Sequence, residues 1–350
     1  MFWPIRAISF APLAAGPQLW ISANSSFAQT AHPSPSAWPF PNSPYYNATP
    51  VRTASRPNDW PFASTPASAA PIASPPAATA GTPPPHDVAL QEKTWRELSN
   101  GEVHPIGQQA LDIKPEQWKH GETENFIIHY RRLGDAHEVA REIEFDLWNV
   151  AQTLGAKPAQ YQRKSHVFIF KDELEWKKFL AQTNDPTWSH SLAHGDELFL
   201  NVHEQSGVFD SHSLAHETTH AVVSRIYRGR HWPLWLNEGF AEYMGDASVA
   251  ARHSQNVHRN QAPLSLAQMT IAELTAVQRY PAEKAQVDRL YETSAKFVRY
   301  LFNKYPKELF PQFVDRIIAG DPPPAALVAT YGSDFADMAL VERKFARFIR

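Results

Sequence analysis

The sequence predicts an α+β fold, a mixed β-sheet with helices in its N-terminal part followed by a mostly helical C-terminal lobe. Three observations predict it. Between residues 124 and 202 apolar runs of strand length alternate with helical periodicities; from Ser211 onward the periodicity is helical alone; and the first 86 residues lack the composition to join a core. A cleft is expected where the two halves meet.

Residues 29–86 carry 15 of the 30 prolines, with much Ala, Ser and Thr and only three formal charges. Such a stretch cannot bury enough apolar surface to offset the entropy lost on ordering, so it reads as a disordered, partly polyproline linker. Before it, residues 1–28 have Arg6, an apolar run from Ala7 to Ile21 and the small-residue exit Ser26-Phe27-Ala28. This resembles a secretory signal peptide cleaved after Ala28, which places the chain outside the cell or in the periplasm or envelope. The other reading is a cytoplasmic chain whose first residues simply begin the arm. No other run reaches the roughly 18 apolar residues of a membrane span. Residues 87–350 remain as the folded unit.

Within that unit, Glu124 to Arg131 reads as a strand, and Ala136 to Thr153 as a helix through Val139, Ile143, Leu147 and Val150. Ser165 to Phe170 is a second strand, Asp172 caps a helix running to Gln182, and Gly195 to Val202, with Leu198 and Leu200 alternating, is a third strand. Helices follow over Ser211–Arg228, Pro233–Ala247, Glu283–Lys304, Glu308–Ala319 and Asp334–Arg350. Pro306, Pro311 and the run Asp321-Pro322-Pro323-Pro324 punctuate the later ones.

Composition narrows the chemistry. A net charge of −3 and a pI near 6.6 supply no bulk attraction for nucleic acid or anionic membrane. The absence of cysteine excludes a disulfide framework, a thiolate metal site, a thiol nucleophile and a lipidated cysteine. A metal here must be held by His and carboxylate. A Gly-rich phosphate loop, a Gly-x-Ser-x-Gly elbow and a dinucleotide fingerprint are all missing.

One pentapeptide carries chemistry: His216-Glu217-Thr218-Thr219-His220. On a helix, residues four apart stand on one face, so both imidazoles can reach one ion. Glu217 is offset by one position and can turn toward an attacking water. The plain alternative is a polar helix face. A catalytic zinc needs a third protein ligand, and Trp235-Leu236-Asn237-Glu238-Gly239-Phe240-Ala241 lies downstream, with Glu238 eighteen positions after His220. A helix ending near Arg228, a turn through Pro233 and a second helix would bring Glu238 back against the first.

These two blocks resemble the gluzincin zinc metallopeptidases, and among them the bacterial peptidase-MA-like domains. The resemblance implies a zincin-like fold, one zinc per chain held by His216, His220 and Glu238, and a peptide or protein substrate. It makes Glu217 the general base and then the proton shuttle to the leaving amine. The family also uses a tyrosine or histidine to stabilise the oxyanion; Tyr291, in the next long helix, is the candidate and His231 the alternative. Related enzymes pair an extended substrate with an edge strand, which assigns Gly195, Leu198 and Leu200 to substrate binding. The exopeptidase relatives carry a Gly-x-Met-Glu-Asn block that this chain lacks, so the expectation is an endopeptidase.

Glu242, one turn beyond Glu238, can accept the free imidazole N–H of His216 or His220, against the alternative of a solvated carboxylate. Trp188, Trp232 and Trp235 could shape a pocket, although Trp235 reads better as core. His190, His194, His203 and His212 lack ligand spacing of their own and read as surface or packed residues. Two competing functions remain at this stage: a non-catalytic zinc-stabilised binding or scaffold domain, and hydrolysis of a nonpeptide amide or ester at the same site.

Overall fold

A computed structural model describes residue 84 and residues 87–185, 189–202, 210–253 and 268–349. The expected leader, nearly all of the proline-rich linker, Trp188 and His203 lie outside the described residues. The described chain runs β1 (Gln91–Lys93), α1 (Pro105–Leu111), β2 (Lys119–Glu122), β3 (Phe126–Tyr130), α2 (Leu133–Leu154), β4 (Ser165–Phe170), α3 (Glu173–Thr183), β5 (Ser191–His194) and β6 (Glu197–Asn201). Helices alone follow: α4 (Ser211–Tyr227), α5 (Leu234–His253), α6 (Ile271–Ala276), α7 (Lys284–Lys304), α8 (Leu309–Ala319), α9 (Pro323–Tyr331) and α10 (Met338–Phe348). This is the mixed α+β plan, a sheet with helices followed by a helical lobe.

The six strands form one sheet in the order β1-β2-β3-β4-β6-β5. Its centre, β3, β4 and β6, is parallel, and the outer strands β1, β2 and β5 pair antiparallel. Central strands covered on both faces are largely apolar, and all six residues of β4, Ser165 and His166 included, are buried. Val167 and Ile169 face a core shared with Phe126, Ile128 and the α2 residues Val139, Ile143 and Leu147. Phe168 and Phe170 face the opposite cluster with Trp118, Trp176 and Phe179, as the two-residue strand period requires. Helix α4 contributes Leu214, Val222 and Ile226 to the first core and packs against α2, β5, β6 and α5.

Local chemistry sets the helix ends. Asp172 caps α3 by accepting from the amides of Leu174 and Glu175, and Asp210 caps α4 by accepting from the amide of His212. Helix α4 stops where Arg228 takes a left-handed φ of 51° and Gly229 one of 70°. Helix α5 then returns to pack on α4 and α7. The approach to α7 is close: a Cβ on Gly239 would stand 2.6 Å from the carbonyl oxygen of Ser294.

Three expectations need correction. The strand read over 195–202 is the second half of a hairpin, with Gly195 (φ +64°) opening the turn after β5. Strand β6 lies between β4 and β5, so Leu198 and Leu200 are interior, 0% and 4% exposed, and the outermost strand on that side among the described residues is β5. The run Pro322-Pro323-Pro324 does more than interrupt: Pro323 begins α9, because the first helical turn has no use for the missing N–H. The last helix begins later than Asp334: a 3₁₀ turn covers Gly332–Phe335, and Asp337 caps α10 through the amide of Leu340. No described helix is long and apolar enough to cross a membrane.

Candidate metal centre

Helix α4 brings its two motif histidines together, with His216 Nε2 3.0 Å from His220 Nε2. Helix α5 delivers Glu238, whose Oε2 is 3.5 Å from each of those nitrogens. One ligand atom from each residue lies within 4.8 Å of the others, and among the described residues this is the His/Asp/Glu group that could hold a metal ion.

The donor set fits a cation. Glu238 Oε2 is buried without a hydrogen-bond partner, a condition that native interiors seldom leave uncompensated. Burial pushes the Glu238 carboxyl up, but the His220 and His216 imidazoles outweigh it and hold the group well below the ordinary carboxylate range. Burial likewise pulls His216 down, and hydrogen bonding to Glu238 and Glu242 raises it well above the ordinary imidazole value. Each group is thus stabilised in its charged form, and the centre favours positive charge. Two imidazole nitrogens and one carboxylate oxygen are the ligands that suit zinc.

A second layer orients the first. Glu242 Oε1 is 3.1 Å from His216 Nδ1, the placement expected of it, and this contact directs Nε2 toward the cluster. His212 Nε2 in turn lies 3.6 Å from Glu242 Oε2 and 3.3 Å from Asp246 Oδ1, and Arg299 of α7 pairs with Asp246. Three histidines at four-residue spacing on α4 therefore face three carboxylates, Glu238, Glu242 and Asp246, at the same spacing on α5. His212, expected from the sequence to be a surface or packed histidine, is packed against these carboxylates, and its four-residue interval before His216 is the signal of that placement.

Glu217 is half-buried beside the cluster, and the hydroxyl of Ser191 on β5 donates to its Oε1 at 3.4 Å. Glu217 is thus turned toward β5. Tyr291 lays its ring along that of His216, with centroids 6.2 Å apart and planes 17° from parallel. Burial, then the charge of Glu238, raises the Tyr291 hydroxyl well above its ordinary value, so it stays protonated and able to donate. Tyr280, absent from the sequence reading, donates to Glu238 Oε1 at 2.6 Å. It lies between α6 and α7 in a stretch without a motif, and no spacing rule marks it.

Three other candidates fall elsewhere. His231 is exposed on the connection between α4 and α5. Trp232 and Trp235 are core residues rather than pocket walls: Trp232 packs against Tyr227, Phe240 and Phe310, and Trp235 against Phe297 and Phe313. No protein-family model matches the chain, and no curated protein is similar to it in sequence.

Proposed function

We propose that the protein is a zinc-dependent hydrolase of peptide bonds, an endopeptidase of the gluzincin kind, exported by its N-terminal leader. The observation that carries this reading is the convergence of His216, His220 and Glu238 around an unpartnered buried carboxylate oxygen, with Glu217 alongside and turned toward β5. The three ligands would hold one zinc ion, which when bound supplies a Lewis acid that acidifies water and polarises a carbonyl.

The chain's own groups supply the rest. Glu217 is within reach of the substrate edge and takes the proton of the attacking water, then returns it to the leaving amine. Tyr291 donates its hydroxyl to the oxygen of the attacked carbonyl as negative charge develops there. Glu242 fixes the His216 tautomer. An extended peptide pairs with the backbone of β5, so the substrate edge is Ser191–His194 and not the interior residues Leu198 and Leu200.

The test uses the full chain, its metal content measured by elemental mass spectrometry, against unfolded-protein and mixed-peptide substrates. One zinc per chain with chelator-sensitive cleavage, lost in Glu217→Gln, supports the peptidase. One zinc and no cleavage of any amide or ester supports the scaffold reading instead, and absence of metal removes both.

A further inference from the structure

Two tyrosine hydroxyls meet beside Glu238, and their hydrogen bonds run in one direction. Tyr291 donates to Tyr280 at 3.5 Å, and Tyr280 donates to Glu238 Oε1 at 2.6 Å. The first bond is long enough to exchange readily; the second is short and made to a carboxylate, the stronger class of hydrogen bond. The two oxygens of Glu238 therefore have different surroundings. Oε1 is engaged by Tyr280, while Oε2 has no hydrogen-bond partner and stands equidistant, 3.5 Å, from the two imidazole nitrogens.

The segment that leads into Tyr280 is held at its start. Thr270 and Glu273 close a capping box at the start of α6, Ile271 and Leu274 are buried, and the Ile271 amide donates to Glu342 of α10 at 2.5 Å. At the same end Arg289 of α7 donates to the Gln268 carbonyl at 2.9 Å. Beyond this anchored start the Tyr280 hydroxyl meets Oε1 of Glu238, while the imidazoles stand beside Oε2.

We infer that Tyr280 is a positioning residue: its hydroxyl holds Oε1 of Glu238 so that Oε2 is the oxygen left to meet the metal. The inference rests on the metallopeptidase reading above. It divides the two tyrosines by role, with Tyr280 acting on the ligand and Tyr291 on the substrate. Without the Tyr280 hydroxyl, Glu238 can offer both oxygens to the ion or turn its carboxylate, and either change weakens the site.

The experiment compares the wild-type full chain with Tyr280→Phe, Tyr280→His and Tyr291→Phe, reading zinc affinity by chelator competition, the electronic spectrum of the cobalt(II) form, and kcat and KM. In Tyr280→Phe zinc affinity is expected to fall roughly 10–100-fold, the range typical of groups that orient a metal ligand, with a shifted cobalt spectrum. Tyr280→His restores a donor and recovers part of the affinity. Tyr291→Phe binds zinc as wild type does and loses kcat. Wild-type affinity and spectrum in Tyr280→Phe overturn the inference while leaving the peptidase intact. A wild-type chain that takes up no zinc overturns the peptidase reading and this inference with it. Should Tyr280→Phe fail to fold, Tyr280→His decides: retained affinity supports the role, and affinity as low as that of Glu238→Ala overturns it.

Discussion

Glu217 and Glu238 are chemically the same side chain, and their surroundings give them opposite work. Glu238 is 3% exposed and locked between two imidazoles and a tyrosine, so it can only bind. Glu217 is half-buried, with a single long bond from Ser191, so it can swing between water and a leaving amine. Glu217→Gln preserves size and leaves the ligands untouched; zinc content should be unchanged and turnover should fall by roughly 10²–10⁴, the usual contribution of a general base. Glu242→Ala should do the reverse. Loss of the His216 Nδ1 contact lowers zinc affinity by roughly 10–100-fold, and excess zinc restores much of the turnover. Equal zinc affinities for Glu242→Ala and wild type would show that the contact does not orient the ligand. The pairing of His216 with His220 was legible in the sequence because four-residue spacing puts them on one face of α4, and Glu238 was legible as the acidic residue that a returning helix brings back. Tyr280 and Ser191 were not, because each reaches the site from a separate element whose placement depends on tertiary packing.

At the scale of elements, the block Asn237-Glu238-Gly239 shows what a sequence motif contains besides chemistry. Gly239 is where α5 meets the backbone of α7 at Ser294, leaving no room for a methyl group. Gly239→Ala should therefore separate the two helices, costing about 1–3 kcal/mol as overpacked cores do, and should displace both Glu238 and Tyr291. A lower unfolding midpoint together with weakened zinc binding checks this; a midpoint equal to wild type would mean the helices yield without strain. The long amphipathic helices and the largely apolar strands were legible from periodicity, because each carries its own burial pattern. Less legible were β1 and β2, whose residues Gln91–Lys93 and Lys119–Glu122 are largely polar and owe their conformation to pairing, β2 with β3 and β1 with β2. Strand β5 was missed for a related reason: it is half-buried, short and marked only by the turn at Gly195. That omission turned an interior strand into an expected edge.

For the molecule as a whole, buried ionisable groups set how stability varies with pH, and they act in opposite directions. Burial raises Glu197 from 4.5 to about 8 against the opposing His104 amide, and raises Asp146 from 3.8 to about 7 against Arg252. A carboxyl raised on folding holds its proton longer in the native state, so its contribution falls as pH rises through the interval between the two values. A hydrogen-bonded row of histidines in the sheet, His120, His129 and His166, does the opposite. Burial lowers His166 from 6.5 to about 4 and lowers His129 and His120 as well. The unfolded chain then takes up the extra protons, and stability is lost as pH falls below 6.5. Between pH 8 and 6.5 the raised carboxyls act together with His212 and His216, which carboxylate partners raise above the ordinary imidazole value, so acidification should stabilise the fold, by about 2 kcal/mol from Glu197 alone at 1.36 kcal/mol per pH unit. Below 6.5 the sheet histidines oppose that gain. Below 4.5 Glu122 adds to the loss: burial pushes it up, but the Lys164 ammonium, the Ser99 amide and Lys93 hold it at about 2. Stability should therefore peak between about pH 5 and 6.5. Urea unfolding of the zinc-free chain at pH 8, 6.5, 5.5 and 4 measures the curve, and Glu197→Gln should remove the share of the rise between the first two points that belongs to Glu197. A midpoint that climbs steadily from pH 6.5 to 8 would mean that these carboxyls are ionised in the native protein and that water reaches them.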